Sequence, residues 1–186
     1  MIRETIVTTC SAVGAVHIAP FGLIEAADGW VIAPFRPSAT LDNLGEVPEL
    51  VANYVDDVRI FAGCLTGRRD WPTLAADTVR PPRLAGALAH AELRVVSVAE
   101  DAQRPRLTCR VVHRGQHAPF QGFNRAQAAV IEGAILVSRL FMLPREQVEQ
   151  EMAHLAIAVR KTAGPAEEEA WGWLTEAVLA HYAAGA

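Results

Sequence analysis

The sequence has few cysteines, and none of them belongs to a short paired motif. Cys10, Cys64 and Cys109 are far apart in the chain and form no CxxC. A disulfide-stabilised fold needs more cysteines at closer spacings, so that class of small secreted protein is excluded and a reducing compartment is favoured. Each thiol is expected to be a small hydrophobic side chain in the core.

The sequence also lacks long apolar runs and an excess of positive charge. No stretch is long enough to cross a bilayer, and the first residues, MIRETIVTT, contain no apolar signal core. The 17 basic and 21 acidic residues give a net charge of -4, which offers no attraction to a phosphate backbone. We therefore expect a cytoplasmic protein that binds neither nucleic acid nor membranes.

The glycine-rich loops that bind nucleotides are absent as well. The sequence contains no GxGxxG and no GxxxxGK(S/T), which excludes a Rossmann fingerprint and a P-loop. His90, His113, His117 and Cys109 match no standard zinc spacing, so the sequence predicts no metal site.

What is present is the composition of a globular protein. Hydrophobic residues make up 51% of the 186 residues and charged residues 20%, enough apolar surface for a sizeable core. The length suits one domain, or a domain with a small appendage.

The first two thirds of the chain are rich in predicted strands. Arg106–His113 alternates most clearly, with Leu107 and Cys109 on one face and Thr108 on the other. Asp28-Gly29 predicts a hairpin with a left-handed turn. Further strands are predicted at Glu4–Thr9, Val16–Phe21, Trp30–Phe35, Leu50–Val55 and Glu92–Ala99.

Two short helices are predicted between these strands. The first covers Thr40–Gly45, with its first residue as the N-cap. The second is capped by Asp56 or Asp57 and runs to about Leu65. The next segment, Arg68–Arg83, contains three prolines and is predicted as a loop.

The chain becomes helical at Asn124. Asn124 and Gln127 have the spacing of a capping box, at the start of a helix that runs to about Phe141. A second helix begins at Pro144, and a third opens with Glu167–Glu169. Their apolar faces are predicted to be Val148, Met152, Leu155 and Val159 in one, and Trp171, Leu174, Val178 and Tyr182 in the other. Strands followed by helices indicate an α+β fold of about six or seven strands.

A cluster of hydrogen-bond donors stands where a predicted strand leads into a helix. Arg36 offers a forked cation suited to phosphate, and Ser38, Thr40 and Asn43 add neutral donors at the positive end of the helix dipole. We interpret this cluster as a site for a flavin phosphate, with the flavin ring along His17–Gly22. The alternative is structural: Thr40 caps the helix, Asn43 bonds a turn and Arg36 is solvated.

Four further polar residues have to be judged between a structural and a functional role. His17 is close to the predicted ring site, and a histidine can donate or accept a proton near neutral pH, but a hydrogen-bonded strand histidine is the favoured interpretation. Asn124 is a candidate cofactor contact together with Arg125, although its capping role already explains it. Arg125 stands in the first helical turn, where the dipole disfavours a cation, so an anionic partner is expected: the flavin phosphate, a substrate group, or an acid of another subunit. Glu132, in an apolar run, is expected to be buried and paired with Arg125 or Arg139, and this structural ion pair is favoured over a role in proton transfer.

Several motifs together resemble the FMN-binding split-barrel proteins, the fold relatives of flavin reductases and pyridoxamine phosphate oxidase. They are ETIVTT, GxVHIAPFG, RPSxTxxNL and VANYVDD, at Glu4–Thr9, Gly14–Gly22, Arg36–Leu44 and Val51–Asp57. The sequence is most similar to an uncharacterised archaeal and bacterial family of that fold, which ends in a helical domain. The later segment of that family, GFNRAxxAxIExxI, matches Gly122–Ile135.

The resemblance implies an FMN-binding split β-barrel at residues 1–122 and a C-terminal helical domain at 123–186. It implies a homodimer with one FMN per subunit near the subunit interface, and phosphate contacts from the Arg36–Asn43 cluster. It further implies that Asn53 reaches the flavin edge or the ribityl chain, and that the ring meets the backbone of Ile18, Ala19, Pro20, Phe21 and Gly22.

The resulting functional expectation is a flavoprotein oxidoreductase. It would pass hydride or electrons between a nicotinamide-type donor, NADH or NADPH, and a small molecule. We assign no catalytic side chain, because a flavin accepts hydride at its own N5. The alternative is a dimer that binds flavin without turnover, or a dimer that only interacts with other proteins.

Overall fold

The computed structural model describes residues 1–184, which form eight strands and five helices. In chain order these are β1 (Ile2–Cys10), β2 (Val16–Ala26), β3 (Gly29–Ile32), α1 (Ala39–Glu46), β4 (Glu49–Tyr54), α2 (Arg59–Leu65), β5 (Thr73–Leu74), β6 (Arg83–Leu84), β7 (Ala89–Ala99), β8 (Arg106–Gln116), α3 (Arg125–Val137), α4 (Arg145–Thr162) and α5 (Pro165–Ala184). No helix of these residues combines the length and apolar character that a membrane span requires.

Six of the strands form a closed antiparallel barrel in the order β1-β2-β3-β8-β7-β4. The period-two pattern of β8 is confirmed, since Leu107 and Cys109 are buried while Arg110 is exposed. The predicted α+β barrel with C-terminal helices is therefore confirmed. The barrel core consists mainly of Val7, Leu23, Trp30, Ile32, Leu50, Ala52, Ala91, Leu93, Leu107 and Cys109, joined by Leu44 of α1.

The contacts divide the chain into two units that do not follow its order. The barrel unit comprises Met1–Val55 and Trp71–Phe120, and the helical unit comprises Asp56–Asp70 and the chain from Gln121 onward. The sequence predicts a single boundary at residue 122 and does not predict that α2 belongs to the helical unit. Within that unit α2 buries its apolar residues against α3 and α5, and Arg59 bonds Glu169 of α5 at 3.3 Å.

The segment 77–84 is attached to the outside of the barrel by buried polar side chains. The Thr8 hydroxyl donates to the Pro82 carbonyl, and the Asn53 Oδ1 accepts from the Leu84 N–H at 2.7 Å. The Glu92 carboxylate accepts from three successive N–H groups of residues 77–79. We call residues 77–84 the attached segment. The loop predicted for Arg68–Arg83 thus contains β5 and ends in β6, which pair with each other.

The β2–β3 hairpin is confirmed, but its predicted left-handed turn is wrong. Ala26 pairs with Gly29, and neither Gly29 nor any non-glycine residue of the described chain has a positive φ. Gly29 is needed for a different reason, a close approach of two strands. A Cβ at Gly29 would lie 2.1 Å from the Cys109 carbonyl oxygen, far inside van der Waals contact.

Gly29→Ala is expected to destabilise the protein by at least about 2 kcal/mol, because β3 must move away from β8 to accept the methyl group. Gly45→Ala is the matched control, since its Cβ would meet nothing within 4 Å in the last turn of α1. An alanine there should stabilise the protein by about 0.5–1 kcal/mol. Urea denaturation measures both effects, and equal stabilities of the two variants would contradict this explanation of Gly29.

Helix starts differ from prediction in their details. Ser38, not Thr40, is the N-cap of α1, because its extended backbone lets Oγ accept from the Leu41 N–H. Asn124 caps α3 as predicted, but Gln127 does not complete a capping box and instead donates to Glu167 at 3.1 Å. α3 ends at Val137, four residues before the predicted Phe141, and Pro144 is the N-cap of α4, which begins at Arg145.

The predicted apolar faces of the last two helices are largely confirmed. Val148, Met152 and Val159 of α4 are buried, as are Leu174 and Val178 of α5. The three cysteines are also buried, as predicted. Burial raises the pKa of the Cys109 thiol to about 12, so it is protonated and unreactive at neutral pH.

Candidate functional site

The N-terminus of α1 presents donors that the barrel unit leaves unused. The Ser38 cap satisfies the N–H of Leu41, but the N–H groups of Ala39 and Thr40 have no acceptor among the described residues. The Thr40 hydroxyl also bonds no described residue, although the residue is only 2% exposed. These groups stand at the positive end of the helix dipole and fit an anion.

Arg36 adds a positive charge two residues before this helix cap. Its Nη2 contacts Glu100 Oε2 at 2.8 Å, and its Nε donates to the Asp101 carbonyl at 3.3 Å. The guanidinium is held on the loop between β7 and β8 but is itself exposed, and most of its five N–H donors remain available. Because Glu100 is 74% exposed at its side chain, this ion pair is weak and an anionic ligand can compete for Arg36.

Thr9 connects this helix to β2. Asn43 donates from Nδ2 to the Thr9 Oγ1 at 3.0 Å, and Thr9 is the β1 partner of His17 in the strand register. The structure thus brings one predicted phosphate residue, Asn43, and the predicted ring strand to the same residue of β1. Sequence reasoning missed Thr9 because a strand threonine gives no signal of its role until the pairing register is known.

The stretch Ile18–Leu23 of β2 pairs with β1 on one edge and with no strand of the described chain on its other edge. The β2–β3 pairing begins only at Ile24. An edge strand presents backbone N–H and C=O groups to a ligand, and it tolerates Pro20, which has no N–H to donate. The five residues predicted to contact the flavin ring, Ile18, Ala19, Pro20, Phe21 and Gly22, all lie in this stretch. Backbone groups of successive residues face opposite edges, so only alternate residues present theirs to the open edge. The Phe21 carbonyl accepts a hydrogen bond from the Thr5 hydroxyl of β1.

These two features fit the parts of FMN. The helix N-terminus with Arg36 suits a phosphate, and a strand edge with unpaired amides suits the polar rim of a flavin ring. The fit rests on unused donors at Ala39 and Thr40 and on the missing strand partner of Ile18–Leu23.

The Asn53 side chain binds groups of the protein, whereas the resemblance implies that it reaches the flavin. Its side chain is completely buried and donates to the Ile6 carbonyl at 3.0 Å, while its Oδ1 accepts from the Leu84 N–H. With both ends of the amide bound to protein, its role is to hold the attached segment, in place of a contact with the flavin edge or ribityl chain.

Asn124 and Arg125 belong to the helical unit. Asn124 is satisfied by the cap of α3, where Oδ1 accepts from Ala126, and by a 3.0 Å bond from Nδ2 to the Thr162 carbonyl. Arg125 is exposed and forms no ion pair with a described residue, so its anionic partner stays a prediction. Glu132 is exposed, and the expected buried ion pair is wrong because this position faces solvent.

The barrel and the site define a class of protein: a split β-barrel of the flavin reductase type, carrying a C-terminal helical unit. The particular family follows from the sequence. The N-terminal domain of the family described as "Protein of unknown function (DUF447)" matches residues 3–118, and a second part of the same family matches residues 124–176. The chain belongs to the DUF447 family.

Solved structures agree with this assignment. The FMN-bound DUF447 protein MM1853 from Methanosarcina mazei superposes with a TM-score of 0.83 at 21% identity, covering 95% of this chain and 94% of that one. The 2-nitrobenzoate 2-nitroreductase NbaA of Pseudomonas fluorescens is 21% identical with a TM-score of 0.53, over 61% of this chain and 64% of its own.

A third similar structure is the NADH:FAD oxidoreductase SgcE6 of Streptomyces globisporus. Its TM-score is 0.52 at 14% identity, over 61% of this chain and 75% of that one. The partial coverage of this structure and of NbaA contrasts with the nearly complete coverage by the DUF447 protein. Among proteins of curated function, no sequence match was found.

Proposed function

We propose that the protein binds FMN and acts as an oxidoreductase that passes hydride from NADH or NADPH to a small molecule. The observation that carries the proposal is the pairing of an anion-binding helix N-terminus with an open strand edge, joined through Thr9. An FMN-bound protein of the same family, whose structure matches 95% of this chain, supports the same cofactor.

Different residues would bind different parts of FMN. The N–H groups of Ala39 and Thr40, the Thr40 hydroxyl and the Arg36 guanidinium would hold the phosphate. The backbone of Ile18–Leu23 would orient the ring through its open edge. The bound flavin would supply the redox chemistry, so the protein has to contribute position and electrostatics and needs no catalytic acid or base for hydride transfer.

The nicotinamide donor and the homodimer are parts of the same proposal. The donor is supported by the NADH:FAD oxidoreductase among the similar structures. A dimer is supported by apolar side chains left at the surface, for example Val96 and Val98 on β7. A soluble monomer rarely leaves such residues uncovered in numbers, so a second copy is their expected partner.

Anaerobic reduction tests the proposed function. The protein is loaded with FMN and mixed with NADPH or NADH, and bleaching of flavin absorbance faster than that of free FMN is expected. A flavin that stays oxidised with both donors would contradict the nicotinamide-linked reaction and favour a carrier that does not turn over. Light scattering of the same sample should give twice the 20.1 kDa chain mass, and a monomer would contradict the dimer.

A further inference from the structure

A polar cluster lies on the outer face of the barrel, where the attached segment covers β7 and β8. His90 and Glu92 are two residues apart on β7 and therefore point to the same face, while the alternating Ala91 and Leu93 enter the barrel core. His113 of β8 is the direct partner of Glu92 in the strand register. Asp77 reaches the same point from the attached segment.

The side chains converge to the dimensions of a metal site. His90 Nε2 is 3.2 Å from Glu92 Oε1, and His113 Nε2 is 3.3 Å from Asp77 Oδ2. Bonds of about 2.0–2.2 Å to zinc place tetrahedral ligands about 3.4 Å apart, so both of these pairs already have the right separation. All four ligand atoms lie within 4.8 Å of one another. The most distant pair therefore has to approach by about 1.4 Å or less to reach the separation of tetrahedral zinc ligands.

We propose that Asp77, His90, Glu92 and His113 bind one divalent transition-metal ion, with zinc as the representative. Two carboxylates and two neutral imidazoles carry two negative charges, which one divalent cation neutralises. A mixed set of imidazole nitrogens and carboxylate oxygens suits first-row transition metals better than magnesium or calcium, which take oxygen ligands.

Two of the proposed ligands are buried, and the other two are open to solvent. The side chains of His90 and Glu92 are fully buried, whereas those of His113 and Asp77 are 36% and 63% exposed, so an ion has a route from solvent. A Cβ at residue 115 would lie 2.5 Å from the His90 ring, and Gly115 therefore makes the room that the imidazole occupies.

Hydrogen bonds hold the Glu92 carboxylate in place. It accepts from the Thr78 hydroxyl and from the N–H groups of Asp77, Thr78 and Val79, and its Oε1 is 3.2 Å from His90 Nε2. A buried carboxylate fixed in this way is a preorganised ligand for a cation.

His117 completes the arrangement behind the ligands. Its Nε2 is 2.9 Å from His90 Nδ1, and the two rings stack with centroids 5.0 Å apart. A neutral His90 that binds the ion through Nε2 carries its one proton at Nδ1 and donates it to His117 Nε2, and a neutral His117 then carries its own proton at Nδ1. A ligating histidine commonly bonds a second acceptor in this way, which fixes its tautomer and ring orientation.

Metal analysis of the chelator-treated and zinc-reconstituted protein tests the proposal. We expect one zinc per chain and an increase in Tm of about 5–10 °C when free zinc is about 100 times Kd. Magnesium and calcium should produce neither effect. His113→Ala and Asp77→Asn change the two exposed ligands, so these variants should fold and lose zinc affinity by more than about 100-fold.

His154→Ala is the matched control, because His154 is exposed on α4 of the helical unit. It should bind zinc as the unaltered protein does, while His117→Ala should lose about 10–100-fold in affinity. The proposal is overturned if the unaltered protein takes up no zinc, or if His113→Ala and Asp77→Asn bind zinc as well as His154→Ala. In either case the cluster is a hydrogen-bonded network that only fixes the attached segment.

Discussion

Thr40→Val and Arg36→Ala are each expected to weaken FMN binding by about 10–100-fold while leaving riboflavin binding nearly unchanged. The phosphate is the only part of FMN that riboflavin lacks, and the Thr40 hydroxyl and the Arg36 guanidinium are donors that the protein does not use fully. Hydrogen bonds to a charged group are worth about 1.5–3 kcal/mol, which corresponds to this range of affinity. The unaltered protein should therefore prefer FMN to riboflavin, and each variant should reduce that preference.

Flavin fluorescence titrations measure both affinities. Thr108→Val and Arg110→Ala are the controls, since they make the same chemical changes on β8, where Thr108 is half-buried and Arg110 exposed. They should leave the preference for FMN intact. If the Thr40 and Arg36 variants weaken riboflavin as much as FMN, these side chains do not bind the phosphate.

Asn53→Leu should lower the free energy of unfolding by about 3–4 kcal/mol. The leucine has the same branched shape and the same number of heavy side-chain atoms, although it is larger. It leaves the buried Leu84 N–H without an acceptor and removes the bond to the Ile6 carbonyl. Each buried group without a partner costs about 1–3 kcal/mol, and detachment of the covering segment adds to this loss. Urea denaturation gives the size of the effect, and faster proteolysis within residues 77–84 should accompany it.

Gln116→Leu is the control for this prediction, because it makes the same change at an exposed amide on β8. Its effect should stay within about 0.5 kcal/mol. Equal stabilities of the two variants would contradict the role assigned to Asn53. At temperatures where Asn53→Leu stays folded, FMN affinity should be retained, whereas the flavin contact that the resemblance implies would lower it.

The fold was largely predictable because its signals are local. The alternation in Arg106–His113 and the cap at Asn124 each depend on residues that are adjacent in sequence. The assignment of α2 to the helical unit was not predictable in this way. Its burial against α3 and α5 is a long-range contact, and RIFAGCL gives no indication of which partner covers its apolar face.

The candidate site was predictable where its residues are close in sequence. Arg36, Ser38 and Thr40 fall within one helix start, and the structure keeps them together there. The predicted roles of single residues were wrong where they depend on backbone conformation or on strand register. Ser38, and not the predicted Thr40, is the N-cap of α1, and the Asn53 amide binds the attached segment.

The convergence of the four proposed metal ligands was not predicted, for the same reason. His90 and His113 are 23 positions apart and match no zinc spacing, yet the β7–β8 register sets His113 opposite Glu92, two residues from His90. Asp77 comes from a segment whose path over the barrel depends on buried hydrogen bonds to Thr8 and Asn53. No local pattern contains this information.

Titration of the purified protein with FMN, after removal of any flavin that copurifies, tests the central claim most directly. The account predicts saturation at one FMN per chain, with tighter binding of FMN than of riboflavin. Failure of the protein to bind FMN, in a sample whose circular dichroism confirms folding, would contradict the claim and leave only the barrel fold and the family.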